Sequence, residues 1–257
     1  MSGQASAPTQ DRTAGKDVSG CAGARCAQTG RGPGLDPDTS VPGPMECALG
    51  ADWARLPPAL QTHHSRTTAA DVGHMDIEFP AAMRPVLRVM AWLGALLERR
   101  AVAVPTHVVR QMAGGRQHWR RTIRFDDGRV YRFDSVWECA GPGRLIEYVN
   151  PFLGLEMAPR LDDCRLCYRG IRFVLKLGPA RIGIPQWLGP GVTDIVEEAL
   201  DEHRFAMDFR MTHPWFGQLY RYAGVFITGV PVSSAEEQTS QADPPPPSGP
   251  ASAAAGR

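Results

Sequence analysis

The sequence predicts an α+β domain, mainly antiparallel β, in which a curved or barrel-like sheet carries one capping helix. Lipocalin-like and helix-grip-like arrangements both fit. Three observations predict it. From about residue 105 onward, apolar residues alternate with period two in short runs. Turn signals rich in Gly, Pro and Asp punctuate those runs. Strong helical periodicity is confined to one segment ahead of them, so the alternation of helices and strands that builds a parallel sheet is missing. Roughly eight to ten strands result, and a sheet of that size must curl, close or split.

The elements follow in order. Leu56-Pro57-Pro58-Ala59-Leu60 opens a proline-started helical turn that runs to about His64. Asp71 to Phe79 alternates, with Gly73, Met75, Ile77 and Phe79 on the apolar face. Met83 to Arg100 reads as the helix. Val86, Val89, Met90, Leu93, Leu96 and Leu97 form its stripe, and Arg99 and Arg100 suit its negative end. Val108 to Met112 is a short strand. Gln117 to Phe125 places Trp119, Arg121, Ile123 and Phe125 on one face, and Asp126-Asp127-Gly128 turns the chain. Val130 to Cys139 returns with Tyr131, Phe133, Ser135 and Trp137 together. Strands follow at Arg144 to Val149, near Leu155 and from Arg165 to Leu177. Gly178 to Gly191 reads as a loop. Thr193 to Leu200 and His203 to Met211 form a hairpin, and Tyr220 to Thr228 is the last strand.

Composition sets the boundaries. The chain has 257 residues, with 27 Gly and 23 Pro. Residues 1–55 show no periodicity and too little apolar surface to offset the entropy of ordering, so they read as a disordered tail. Residues 231–257, with Pro244-Pro245-Pro246-Pro247, read the same way. A single domain over 56–230 remains. The net charge of +1 gives no bulk electrostatic signature for nucleic acid or an anionic membrane. The domain alone carries 22 Arg and Lys against 18 Asp and Glu, or +4. No apolar run is long enough to span a bilayer. Met1 to Asp11 has neither a basic nor an apolar signal region, so a cytoplasmic location with reduced thiols is expected.

Gly183-Ile184-Pro185-Gln186-Trp187-Leu188-Gly189-Pro190 and Tyr220-Arg221-Tyr222-Ala223-Gly224 carry a resemblance, joined by Leu56 to Leu60 and Trp119-Arg120-Arg121. Over about Leu56 to Thr228 the chain resembles the bacterial domain of unknown function 4166 family. Members often follow saccharopine-dehydrogenase-like or short-chain-dehydrogenase-like NAD(P)-binding domains. Here no Gly-x-Gly-x-x-Gly follows a predicted strand. The resemblance implies an accessory domain and brings no catalytic residues with it.

Arg121 is the sharpest candidate, because a charge on an apolar face is costly unless paired. One reading makes it the anchor of an anionic amphipathic small molecule in an interior lined by Trp119, Phe125, Phe133, Trp137, Phe205 and Phe209. The other pairs it with Glu138 or Glu147, or places it outside on a slipped register, while the aromatics fill a solid core. Cys164-x-x-Cys167 has a spacing that zinc or a redox pair would use, but residues three apart on a strand face opposite ways unless Asp162-Asp163-Cys164 turns. These thiols, with Cys21, Cys26 and Cys47, read as incidental, and no metal or cofactor is assigned. His74, His203 and His213 show no spacing that singles out an acid–base dyad with Asp208 or Glu202. Asp194, Glu197, Glu198, Asp201 and Glu202 flank a turn and read as a solvated face. The basic stretch Arg116, Arg120, Arg121, Arg124, Arg129 and Arg132, interleaved with aromatics, reads as a half-buried sheet with arginine on its wet face rather than as a surface that stacks single-stranded nucleic acid. Three functions compete. The leading one is a non-catalytic ligand-binding module. The others are an interaction subunit of a separately encoded NAD(P)-dependent oxidoreductase, and an enzyme with an unrecognised His/Asp pair.

Overall fold

The computed structural model describes residues 41–189 and 191–233. The readings placed on residues 1–40 and from 234 onward, including Cys21, Cys26 and the proline run, lie outside them. Eleven antiparallel strands form one sheet: β1 Ala69–Glu78, β2 Ala101–Ala113, β3 Arg116–Arg124, β4 Val130–Gly141, β5 Arg144–Tyr148, β6 Leu153–Asp162, β7 Arg165–Leu177, β8 Ala180–Pro185, β9 Val192–Ala199, β10 Arg204–His213 and β11 Gly217–Val230. The order is β6-β5-β4-β3-β2-β1-β11-β10-β9-β7-β8, and β6 also pairs with β7. That pairing closes ten strands into a barrel, with β8 attached outside the ring. Closure leaves no open edge in the ring.

Strand β7 forks. Its first half, Arg165 to Arg169, pairs with β9, and its second half, Arg172 to Leu177, pairs with β8. The segment Gly178 to Gly191 is therefore not all loop: β8 occupies its centre. Strand β8 escapes the alternation test because it is exposed at five of its six positions. Gln186 follows it in a short helical turn. It is buried at the fork, and its Oε1 accepts the Thr193 N–H at 3.2 Å. This gives the Pro-Gln-Trp-Leu-Gly segment a structural task.

Three short helices complete the domain: α1 Pro44–Leu49, α2 Pro58–His63 and α3 Arg84–Trp92. Two of them correct the sequence reading. Residues 41–55, assigned to the tail, hold α1 and a following helical turn, and Met45 is fully buried. The amphiphilic stretch Met45 to Leu56 is too short to show periodicity, but the barrel supplies its apolar partner. The second correction concerns the Met83–Arg100 helix. It ends at Trp92, because Leu93 closes it and Gly94 turns away at φ +72°. Leu87 is its one buried residue, while Val86 and Val89 are exposed. The chain from there to Arg100 packs Leu96 and Leu97 on the core without helix.

The two ends of the barrel are closed differently. The strap from α1 to α2 leads into the start of β1 and contacts β4, β5, β6, β9, β10 and β11. Helix α3 follows the opposite end of β1. A disulfide joins Cys47 of α1 to Cys139 of β4. The reduced-thiol expectation therefore fails for this pair. Helix α1 also accepts the Gly143 N–H at the carbonyl of Ala48, which fixes it over the β4–β5 turn.

Candidate functional site

Strand alternation sends Trp119 and Ile123 of β3, Trp137 of β4 and Phe205 and Phe209 of β10 inward, with Phe125 just past β3 beside them. Phe133 is only half-buried. These side chains pack on one another: Trp119 and Trp137 lie 4.8 Å apart between ring centres, and Phe205 and Phe226 lie 5.5 Å apart. The interior void that they border measures about 30 Å³. That is room for a water or two. A drug-sized ligand needs roughly several hundred Å³.

Arg121 does point inward. It bonds Ser135 Oγ at 2.7 Å and Glu147 Oε1 at 3.0 Å, and Ser135 also donates to Glu147 at 2.7 Å. Its guanidinium sits 5.0 Å from the centre of the Phe133 ring. The charge is matched within the barrel wall, by one of the two carboxylates that the alternation pointed to. A larger depression of about 550 Å³ is open on the outer wall around Arg116, His118, Arg120 and Lys176. Its arginines face acids on the neighbouring strand, Arg116 with Glu138 at 2.9 Å and Arg120 with Asp134 at 3.9 Å. Arg116, Arg120, Arg129 and Arg132 are exposed, as expected of a wet face, whereas Arg121 points inward and Arg124 is half-buried.

The chemistry lies at the strap. The proline-started turn of α2 drives His63 and His64 into the barrel, where His64 stacks 5.6 Å from Trp137 and His63 lies 4.2 Å from Phe205. His63 Nδ1 meets Asp71 Oδ2 at 2.8 Å. Arg110, wholly buried, donates to Asp71 Oδ1 at 3.1 Å and to the carbonyls of Thr62 and His63. It therefore pins both the end of α2 and the carboxylate that orients His63. On the other side, His64 Nε2 lies 2.7 Å from Glu197 Oε2 and 2.7 Å from the Tyr168 hydroxyl. Tyr168 donates to the same Glu197 oxygen at 2.9 Å. His63 Nε2 is 3.7 Å from Glu197 Oε1.

Burial and charge compete throughout this cluster. Burial would raise the Glu197 carboxyl, but His64 and His63 outweigh it and hold it well below the usual carboxylate range. Asp71 is held low in the same way by His63 and Arg110. Burial disfavours charge on both imidazoles. At His63 the two carboxylates win and raise it, whereas at His64 burial, His63 and Arg110 together lower it. Burial and Glu197 push the Tyr168 phenol far up. His64 Nδ1 has no hydrogen-bond partner.

Among the described residues, His63, His64 and Glu197 form a group of three metal-ligating side chains, whose donor atoms lie within 4.8 Å of one another. Sequence reasoning missed this group. It weighed His74, His203 and His213 instead, and it placed Glu197 with four solvated carboxylates. Strand β9 in fact buries Thr193, Ile195 and Glu197 on one face. The alternation of Glu197 with Ile195 was the available signal. Cys164 is exposed at a turn where Asp163 takes φ +53°, and Cys167 is half-buried on β7. The turn that joint ligation required is present, and the group of three metal-ligating side chains found among the described residues does not include these thiols.

A model of the domain of unknown function (DUF4166) matches residues 56–226, more than half of the chain. The chain belongs to the DUF4166 family. No curated protein matches it. The crystal structure of Rv2717c from M. tuberculosis is similar at a TM-score of 0.40 and 14% identity, over 67% of this chain and 98% of that one. This DUF4166 domain extends beyond the matched segment at its start, since α1 and its disulfide precede residue 56. No helix among the described residues is long and apolar enough to cross a membrane.

Proposed function

We propose that this DUF4166 domain is a binding module, and that its binding centre is the buried cluster of His63, His64, Tyr168 and Glu197. The observation that carries the reading is convergence. Polar side chains from α2, β7 and β9, and from the residue after α2, meet inside a closed barrel beside a small void. Burying so many ionisable groups is costly, and such clusters concentrate at functional sites. The void favours a ligand of one or a few atoms over the amphipathic chain that the sequence led us to expect. In this reading Arg121, Trp119, Trp137 and Phe205 line the site, Phe125, Phe133 and Phe209 lie outside that lining, and Arg121 anchors no ligand.

Native mass spectrometry of the full chain purified from its own host tests this. The folded protein should be heavier than the denatured one by one small ligand, and Glu197→Gln should lose that mass. Equal masses, or a lipid-sized mass that Glu197→Gln retains, would refute it.

The exposed rings of Trp92, Trp215 and Phe216 favour a second reading, an interaction subunit for a separate oxidoreductase. A second protein in the same spectrum, displaced by Trp215→Ser with Phe216→Ser, is its expected signature.

A further inference from the structure

We infer that His63, His64 and Glu197 bind a divalent first-row transition-metal ion, which names the ligand class of the proposed binding centre and rests on that reading. Two imidazoles and one carboxylate are a donor set that zinc sites use when they keep a fourth position open. At bond lengths of about 2.0–2.1 Å, tetrahedral donors stand roughly 3.4 Å apart. His64 Nε2 lies 2.7 Å from Glu197 Oε2 and His63 Nε2 lies 3.7 Å from the other oxygen, Oε1, and one donor atom from each of the three residues lies within 4.8 Å of the others. The His64–Glu197 pair would open by roughly 0.7 Å to take a tetrahedral ion.

Three further observations point the same way. Asp71 accepts from His63 Nδ1, which turns the Nε2 lone pair toward Glu197 once that nitrogen is free of its proton. This is the carboxylate–histidine support that metal-bound imidazoles usually have, and Arg110 in turn fixes Asp71. Next, His64 Nε2, the Tyr168 hydroxyl and Glu197 Oε2 form a triangle with edges of 2.7, 2.7 and 2.9 Å. With His64 neutral, at most two hydrogens serve those three edges. If the His64 proton moves to Nδ1, one hydrogen serves them and the Nδ1–H has no acceptor. A cation held by His64 Nε2 and Glu197 takes the edge that no hydrogen serves, while the His64 proton stays on Nδ1 without an acceptor. Finally, His63 and Glu197 also line the void of about 30 Å³, which has room for a water as fourth ligand. The ion's charge is balanced in part by Glu197, while Arg110 already neutralises Asp71.

The test uses the untagged full chain, stripped with a chelator and reloaded with Zn²⁺, with Co²⁺ as a spectroscopic probe. One equivalent of Zn²⁺ should remain after desalting, and Co²⁺ should give the intense visible absorption of a tetrahedral site. Glu197→Gln keeps the side-chain shape and should weaken binding at least about 100-fold, and Asp71→Asn about 10- to 100-fold. Cys164→Ser with Cys167→Ser should leave it unchanged. Should Glu197→Gln lose the native tryptophan emission, Asp71→Asn decides. The inference is overturned by a wild-type protein that retains no metal, by Asp71→Asn and folded Glu197→Gln variants that bind as tightly as wild type, or by loss of binding in the cysteine variant. A small adduct in the native spectrum without metal would overturn the metal alone, whereas the absence of both would overturn the binding centre itself.

Discussion

Removing the crosslink between Cys47 and Cys139 should cost this domain a large share of its stability. The bond ties α1 to β4 across 92 residues of sequence. In the chain-entropy description, a loop of that length restricts the unfolded ensemble by about 4.6 kcal/mol, an upper figure because real unfolded chains retain structure. Measured losses of native disulfides run from about 2 to 5 kcal/mol. For a domain of this size, each kcal/mol shifts the melting temperature by about 2–4 °C. A Cys47→Ala, Cys139→Ala variant should therefore melt roughly 5–15 °C below the wild type. Its urea midpoint should fall and its slope should rise, because the unfolded chain without the crosslink is more expanded. Reduction of the wild type by dithiothreitol should reproduce the loss, and leave the variant unaffected. A loss below about 1 kcal/mol would refute the reasoning. So would thiol counting that finds both cysteines free in the oxidised native protein.

Arg121→Met should destabilise by about 2–3 kcal/mol, because it strands the Glu147 carboxylate in the barrel wall. Adding Glu147→Gln should recover much of it, and a double-mutant cycle by chemical denaturation measures the coupling. Gly73→Ala should cost about 2–4 kcal/mol or abolish folding, since its Cβ would collide with the Val225 carbonyl and Phe226 across the β1–β11 pair; a melting temperature within 2 °C of wild type would contradict that register. Asp208 is pushed up by burial, but bonds from Arg210 and Arg221 outweigh this and hold it below its ordinary value. Its contribution is therefore complete above the unfolded value and lost as pH falls through the folded one. The stability gap between wild type and Asp208→Asn should close on acidification from pH 7. The gap stays under about 1 kcal/mol, because the pair is part-exposed and screened. A gap that widened in acid would reverse the sign.

The strands were legible in the sequence because each carries its own period-two signal and its own turn. Trp119, Ile123 and Trp137 point inward as their alternation requires, and Arg121 follows them despite its charge. The signal failed where burial is not one-sided. Strand β8 is exposed nearly throughout, and the α3 stripe faces solvent at Val86 and Val89. The binding centre was less legible still. His63 and His64 sit at the end of a turn that the prolines announced, yet their partners lie far along the chain. Asp71 is eight residues on, Tyr168 is 104 residues from His64, and Glu197 is 133. Only ring closure brings them together, and no local pattern encodes which inward positions then face one another. The cysteine pairing fails for the same reason.

The order in which the ribosome delivers these parts gives the strap a further consequence. His63 and His64 emerge before any strand, whereas Glu197 arrives near the end and Thr228, which caps Arg110, later still. For most of synthesis the nascent chain carries His64 with neither Tyr168 nor Glu197 to meet it, whereas Asp71 is already there for His63 and Arg110. Cys139 appears midway, so the crosslink to Cys47 can fasten the strap to β4 before β5 to β11 exist. The later strands would then wrap around a plug already tethered in place, and the barrel need not thread its own lid after closing.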